Sequence, residues 1–111
     1  MVRKMTDHHA LARKLTRLVR TYSPNAAAEI EKIHDQYDAR AAYFAAFAIE
    51  RFREESERLA TAGRIPSRVK YGHYMKDYPE ALPSFERALE RFLVDKEVGN
   101  YGKPKVVARF G

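Results

Sequence analysis

Residues 41–49 read AAYFAAFAI, an unbroken apolar run closed by Arg40 on one side and Glu50 on the other. The run lies inside residues 24–62, where no Gly or Pro follows Pro24. That continuity predicts one long helix of about 58 Å at 1.5 Å per residue. A helix apolar on one stripe needs one neighbour, whereas a helix apolar all round needs several. Residues 41–49 are therefore where other helices must converge. Ala41 with Ala45 and Ala42 with Ala46 put small side chains one turn apart, which admits a close neighbour. Tyr43 and Phe47 add a second apolar face. They are expected to form a protein interface, as a homodimer contact or a docking face for a helical partner.

The flanking helices follow from caps and spacing. Thr6 or Asp7 can cap a helix over residues 7–22 by accepting from its free first-turn N–H groups. Leu11, Leu15, Leu18, Val19 and Tyr22 recur at helical spacing and predict its buried stripe. Arg13, Arg17 and Arg20 fall almost opposite that stripe, with Lys14 beside them. Ser23 then Pro24 suits an N-cap and a first helical position, and so short a link makes the first two helices antiparallel neighbours. Gly63 is the expected stop of the long helix. A third helix over residues 84–98, stopped by Gly99, would bury Phe85, Ala88, Leu89, Phe92 and Leu93. The expected fold is all-α: a three-helix antiparallel bundle built on one long central helix. Residues 1–99 form its single domain, with an irregular basic loop at 64–78 and a basic tail at 100–111.

The 111 residues suffice for one domain with a modest core. With no cysteine, disulfides and thiolate metal sites are excluded, which fits a reducing compartment. No apolar run follows Arg3 and Lys4 as a secretory signal requires, and none reaches the roughly 18 residues of a membrane span. The expectation is a cytoplasmic protein that uses no membrane, although the basic amphipathic residues 1–22 also overlap with a transit-peptide pattern. The net charge of +6 is segregated. Residues 1–22 carry six basic groups against one acid, whereas residues 23–62 carry five against eight. The loop at 63–78 and the tail are basic again, at +3 each. Such segregation points to an anionic partner, or to basic and acidic segments attracting one another inside the fold.

The loop RIPSRVKYGHYMKDY interleaves Arg64, Arg68, Lys70 and Lys76 with Tyr71, His73, Tyr74 and Tyr78. Cations attract phosphates and flat rings stack on unpaired bases, the composition of single-strand or RNA contacts. The candidate nucleic-acid residues are therefore Arg13, Arg17 and Arg20 on the first helix, Arg68, Lys70, Tyr71 and Tyr74 in the loop, and Lys103 and Lys105 in the tail. Loop tyrosines anchored on the helices, with basic residues holding Glu54, Glu55 and Glu57, are the competing structural reading. The acidic character of the second helix makes it a poor occupant of a major groove, which argues against a helix-turn-helix reader.

Two patterns raise chemistry. Glu31, His34, Asp35 and Asp38 share one side of the expected long helix, and Glu31-x-x-His34 is a spacing by which helices offer ligands to metals. A single such motif also reads as ordinary surface charge, so no metal or cofactor is assigned. Arg68-x4-His73 resembles the short motif of HEPN-type ribonucleases over six residues, and that resemblance implies an arginine and a histidine acting on RNA. No catalytic residue is assigned. The leading expectation is a small non-catalytic nucleic-acid-binding or nucleoprotein-accessory protein. A helical adaptor or inhibitor using the Tyr43/Phe47 face is the alternative, and a ribonuclease using Arg68 and His73 a remote one.

Overall fold

The computed structural model describes residues 7–64 and 66–99, with the side chains of 97–99 left aside. Described residues form five α-helices and no strand: α1 His8–Tyr22, α2 Pro24–Gln36, α3 Ala39–Ala60, α4 Arg68–Gly72 and α5 Leu82–Gly99. The all-α expectation holds. The single long helix does not, because residues 24–62 form two helices with a break at Tyr37 and Asp38.

Asp38 accounts for the break. Its backbone is extended, and its Oδ1 accepts from the Ala41 N–H at 2.9 Å, so it caps α3. Short polar side chains offer the backbone this alternative to continuing a helix. Tertiary contacts hold the junction open: the Tyr78 hydroxyl donates to Asp38 Oδ2 at 3.1 Å, and the Tyr37 hydroxyl donates to the Glu80 carbonyl at 3.0 Å. The other ends follow the sequence. Asp7 accepts from the Ala10 N–H, Ser23 caps α2 with Pro24 at its first position, and Gly63 ends the α3 segment at φ +67°. There the Arg64 N–H reaches the Leu59 carbonyl and the Gly63 N–H that of Ala60, the paired closure that a left-handed residue permits. The expected loop at 64–78 is largely helical instead. Ser67 caps α4, and a 3₁₀ turn at His73–Met75 follows without interruption, since Gly72 takes ordinary right-handed helical angles. A second 3₁₀ turn at Pro79–Ala81 leads into α5, which starts two residues earlier than expected.

Helix α2 touches α1, α3 and α5. It runs antiparallel to α1, with Arg20 paired to Glu31, and antiparallel to α5, where Ser23 Oγ and Asn25 Nδ2 donate to Asp95 at 2.6 and 3.1 Å. The chain direction of α1 matches that of α3: His8 meets Tyr43 near one end and Tyr22 meets Glu50 near the other. The alanine run serves these close approaches, as Ala41, Ala42, Ala45, Ala46 and Ala48 are all buried beside Ile30, Ile33 and Ile49. Phe52 joins α3 to α4 and α5 through edge-to-face contacts with Tyr71 and Phe92.

Helix α1 is turned relative to the expected stripe. Its buried line is Ala12, Thr16 and Val19, while Leu18 is 41% exposed and Leu11 and Leu15 are half-buried. Small side chains on the inner line let α1 settle close to the alanines of α3. The leucines then flank that line on the side of α3, where His8 and Tyr22 make their contacts. The arginines flank it on the other side, by about 100°.

Candidate functional site: a basic cleft between the first two helices

This rotation places Arg13, Arg17 and Arg20 along one wall of a cleft between α1 and α2, of about 420 Å³. Thr16 and Ala12 lie on its α1 side together with His9, and Glu31, His34 and Asp35 come from α2. Arg20 pairs with Glu31 across the cleft. Arg13, Arg17 and the neighbouring Lys14 are exposed and have no acidic partner among the described residues. The imidazoles of His9 and His34 stand 5.4 Å apart, centre to centre, and tilted by 59°. His34 Nδ1 lies 4.0 Å from Asp35 Oδ1, and its Nε2 is buried with no hydrogen-bond partner among the described residues. Leaving a polar atom dehydrated and unpaired costs about 1–3 kcal/mol, which makes that nitrogen a point of unmet demand.

The remaining predicted residues lie elsewhere. Tyr71 is 4% exposed; its ring packs on Phe52 and Tyr74, and its hydroxyl donates to Glu55. Burial, then the Glu55 carboxylate, pushes the Tyr71 phenol up to about 12. The Tyr71 hydrogen bond is in turn the main influence holding Glu55 below the usual carboxylate range, with Lys70 and Arg58 assisting. Tyr71 thus has no open ring face for a base. Tyr74 is half-buried, edge-on to Phe47 at 5.5 Å. Lys70 lies 3.6 Å from Glu55, and Arg68 pairs with Glu90 at 3.1 Å, so both loop cations have acidic neighbours. Arg68 and His73 line a separate groove between α4 and α5, which also holds Glu86 and Glu90. Lys103 and Lys105 lie outside the described residues.

Tyr43 and Phe47 are half-buried and stacked on each other at 5.9 Å, and Tyr74 folds back over Phe47 from the same chain. The cluster of Glu31, His34, Asp35 and Asp38 is divided by the helix break: Asp38 caps α3 and accepts from Tyr78, away from the cleft residues Glu31, His34 and Asp35. No group of three or more His, Asp or Glu able to hold a metal ion occurs among the described residues. Nor is any helix among them long and apolar enough to cross a membrane.

The sequence, read as an antiparallel hairpin about Ser23, brings His8 and His9 near Asp38 and so to the cluster that holds Glu31 and His34, without singling out the contact of His9 with His34. The hairpin about Ser23 carries that signal, because it sets the start of α1 against the end of α2. The assumed continuation of α2 past Gln36 moved the partner to Asp38. The arginine row was legible, but its role as a cleft wall depends on the rotation of α1. No family model matches the chain, and comparison with curated proteins and solved structures gives no match either.

Proposed function

We propose that the protein is a non-catalytic nucleic-acid-binding or nucleoprotein-accessory protein that holds a phosphate backbone along the arginine side of α1. The observation that carries this reading is the set Arg13, Lys14 and Arg17: exposed, adjacent on one helix and unpaired among the described residues. From Arg13 to Arg20 the helix rises about 10 Å, the axial rise of about three nucleotides in a strand. Arg68 and Lys70 contribute less, since each already has a carboxylate neighbour, and Lys103 and Lys105 extend the basic character along the chain. Tyr74 keeps a partly open ring, whereas Tyr71 acts as packing.

The test is a fluorescence-anisotropy titration of short single-stranded RNA, single-stranded DNA and duplex DNA at low and near-physiological salt. Salt-sensitive binding that falls at least tenfold in Arg13→Glu/Arg17→Glu is expected, since charge reversal removes two phosphate contacts and adds repulsion. Absence of binding even at low salt overturns the reading.

A second reading, self-association or capture of a helical partner, is favoured by one observation. The half-buried to exposed leucines of α1 face the α3 side, which also carries Tyr43 and Phe47. Sedimentation equilibrium should then report a dimer that Leu18→Asp or Tyr43→Asp converts to monomer. A monomer at all concentrations removes self-association.

A further inference from the structure

We infer that the cleft between α1 and α2 seats a phosphate monoester, carried on the end of a nucleic-acid strand or on a small nucleotide. The inference goes beyond backbone binding, although its polymer form rests on that reading because Arg13 and Arg17 serve both.

Three observations set the ligand's chemistry. First, the cleft gathers donors from two helices: the guanidiniums of Arg13 and Arg17, neither committed to a carboxylate among the described residues, and the imidazole of His34. A phosphate monoester presents three strongly accepting oxygens and a charge near −2, so it can use donors arriving from different directions. A planar carboxylate is matched by one guanidinium alone. Second, His34 Nε2 is buried without a partner among the described residues. A proton on that nitrogen has no acceptor among the described residues, so the imidazole can donate Nε2–H to an entering anion. His9 is exposed, so its ring can swing aside to open the approach to His34. Third, the cleft of about 420 Å³ has room for a terminal phosphate together with part of its nucleoside. An internal phosphodiester carries one negative charge and a sugar on either side, so it offers the guanidiniums less charge and fewer free oxygens than a terminal phosphate does. A cation is disfavoured by the three guanidiniums, and no metal-binding group occurs among the described residues.

The experiment has two arms on the full chain. In the first, the ring resonances of His9 and His34 are followed by NMR while AMP or adenosine is added. In the second, 5′-phosphorylated and 5′-hydroxyl forms of one short single-stranded RNA are compared at the same salt. Saturable movement of the His34 signal with AMP and not with adenosine is expected, and about tenfold tighter binding of the phosphorylated strand, the scale of one well-placed charged contact. His34→Gln should abolish the preference while far-UV circular dichroism stays unchanged. Should that variant misfold, the exposed pair Arg13→Gln/Arg17→Gln is expected to weaken the AMP response. No movement with AMP, or equal movement with adenosine, overturns the inference. Strands that bind equally well with AMP silent overturn it and leave backbone binding intact. AMP binding with no affinity for either strand supports the cleft as a small-nucleotide site and removes the polymer reading.

Discussion

Glu50 is a carboxylate buried in a helical core, and its neighbours explain why it stays ionised. Burial alone would raise its pKa. Bidentate hydrogen bonds from Arg53, at 2.6 and 3.0 Å, and one from the Tyr22 hydroxyl at 2.8 Å outweigh burial and hold it below the usual carboxylate range. Burial, then Glu50, raises the Tyr22 phenol well above its ordinary value, so it remains a donor throughout the useful pH range. The consequence for stability follows from the direction of each shift. Glu50 and Glu55 are held below the ordinary 4.5, so in acid the unfolded chain binds more protons than the folded one. Their contribution is complete above about pH 4.5 and is lost as pH falls through the depressed values. Tyr71 is shifted the other way, from 10.0 to about 12. Its contribution is complete below pH 10 and is lost as pH rises through the folded value. Thermal melts over pH 3–11, about the range these shifts span, should show a plateau falling at both ends. Glu50→Gln should flatten part of the acid limb; an unchanged limb would place its origin elsewhere.

Helix boundaries divide into those set locally and those set by the rest of the molecule. Asp7, Ser23 with Pro24, and Gly63 each carry their chemistry in one or two residues, and each was legible in the sequence. The break at Tyr37 was not. Asp38 is a good cap, but a good cap within a run of helix formers is a choice between continuing and restarting. Here the choice is made by Tyr78 and Glu80, some 40 residues away. The rotation of α1 was hidden for a similar reason: leucines outrank Ala12 and Thr16 by hydrophobicity, yet only the small residues permit close approach to the α3 alanines. Pro66, Gly72 and Pro79 are residues that interrupt helices, which is why the sequence predicts an irregular loop at 64–78, yet Gly72 sits at φ −62° within the helical turns. The capping argument gives a test. Asp38→Ala removes the α3 cap and the acceptor for Tyr78, and should cost about 1–2 kcal/mol in urea unfolding. Asp38→Ser keeps the cap, loses only the Tyr78 bond, and should cost less. Equal losses would mean that the Tyr78 contact, not the cap, holds the junction.

At the scale of the whole molecule, the charge segregation seen in the sequence resolves into two different uses of basic residues. On α4 and α5 they are matched to acids of the bundle: Arg68 to Glu90, Lys70 to Glu55, and Arg87 and Arg91 to the buried Glu29 at 3.3 and 3.8 Å. The basic segment at 63–78 thus meets acids of the helices around it within the fold, as in Arg68 with Glu90 and Lys70 with Glu55. On α1, Arg13, Lys14 and Arg17 are not used in this way among the described residues. A ligand anion at Arg13, Lys14 or Arg17 displaces no ion pair among the described residues, although Glu31 and Asp35 stand on the facing wall, whereas at Arg68 or Lys70 it must first displace one. Exposed ion pairs are weak, about 0–1 kcal/mol, so the difference should appear as a graded preference and not as an absolute one. Under the proposed nucleic-acid binding, the salt dependence of affinity for RNA would separate the two surfaces. Each lost phosphate contact lowers the slope of log Kobs against log salt by about 0.7 for a single strand. Arg13→Ala/Arg17→Ala should therefore reduce the slope by about 1.4, while Arg68→Ala/Lys70→Ala should change it by less than half as much. The reverse ranking would move the phosphate track from α1 to the α4 surface, and the groove shared by Arg68 and His73 would become the place to look for RNA.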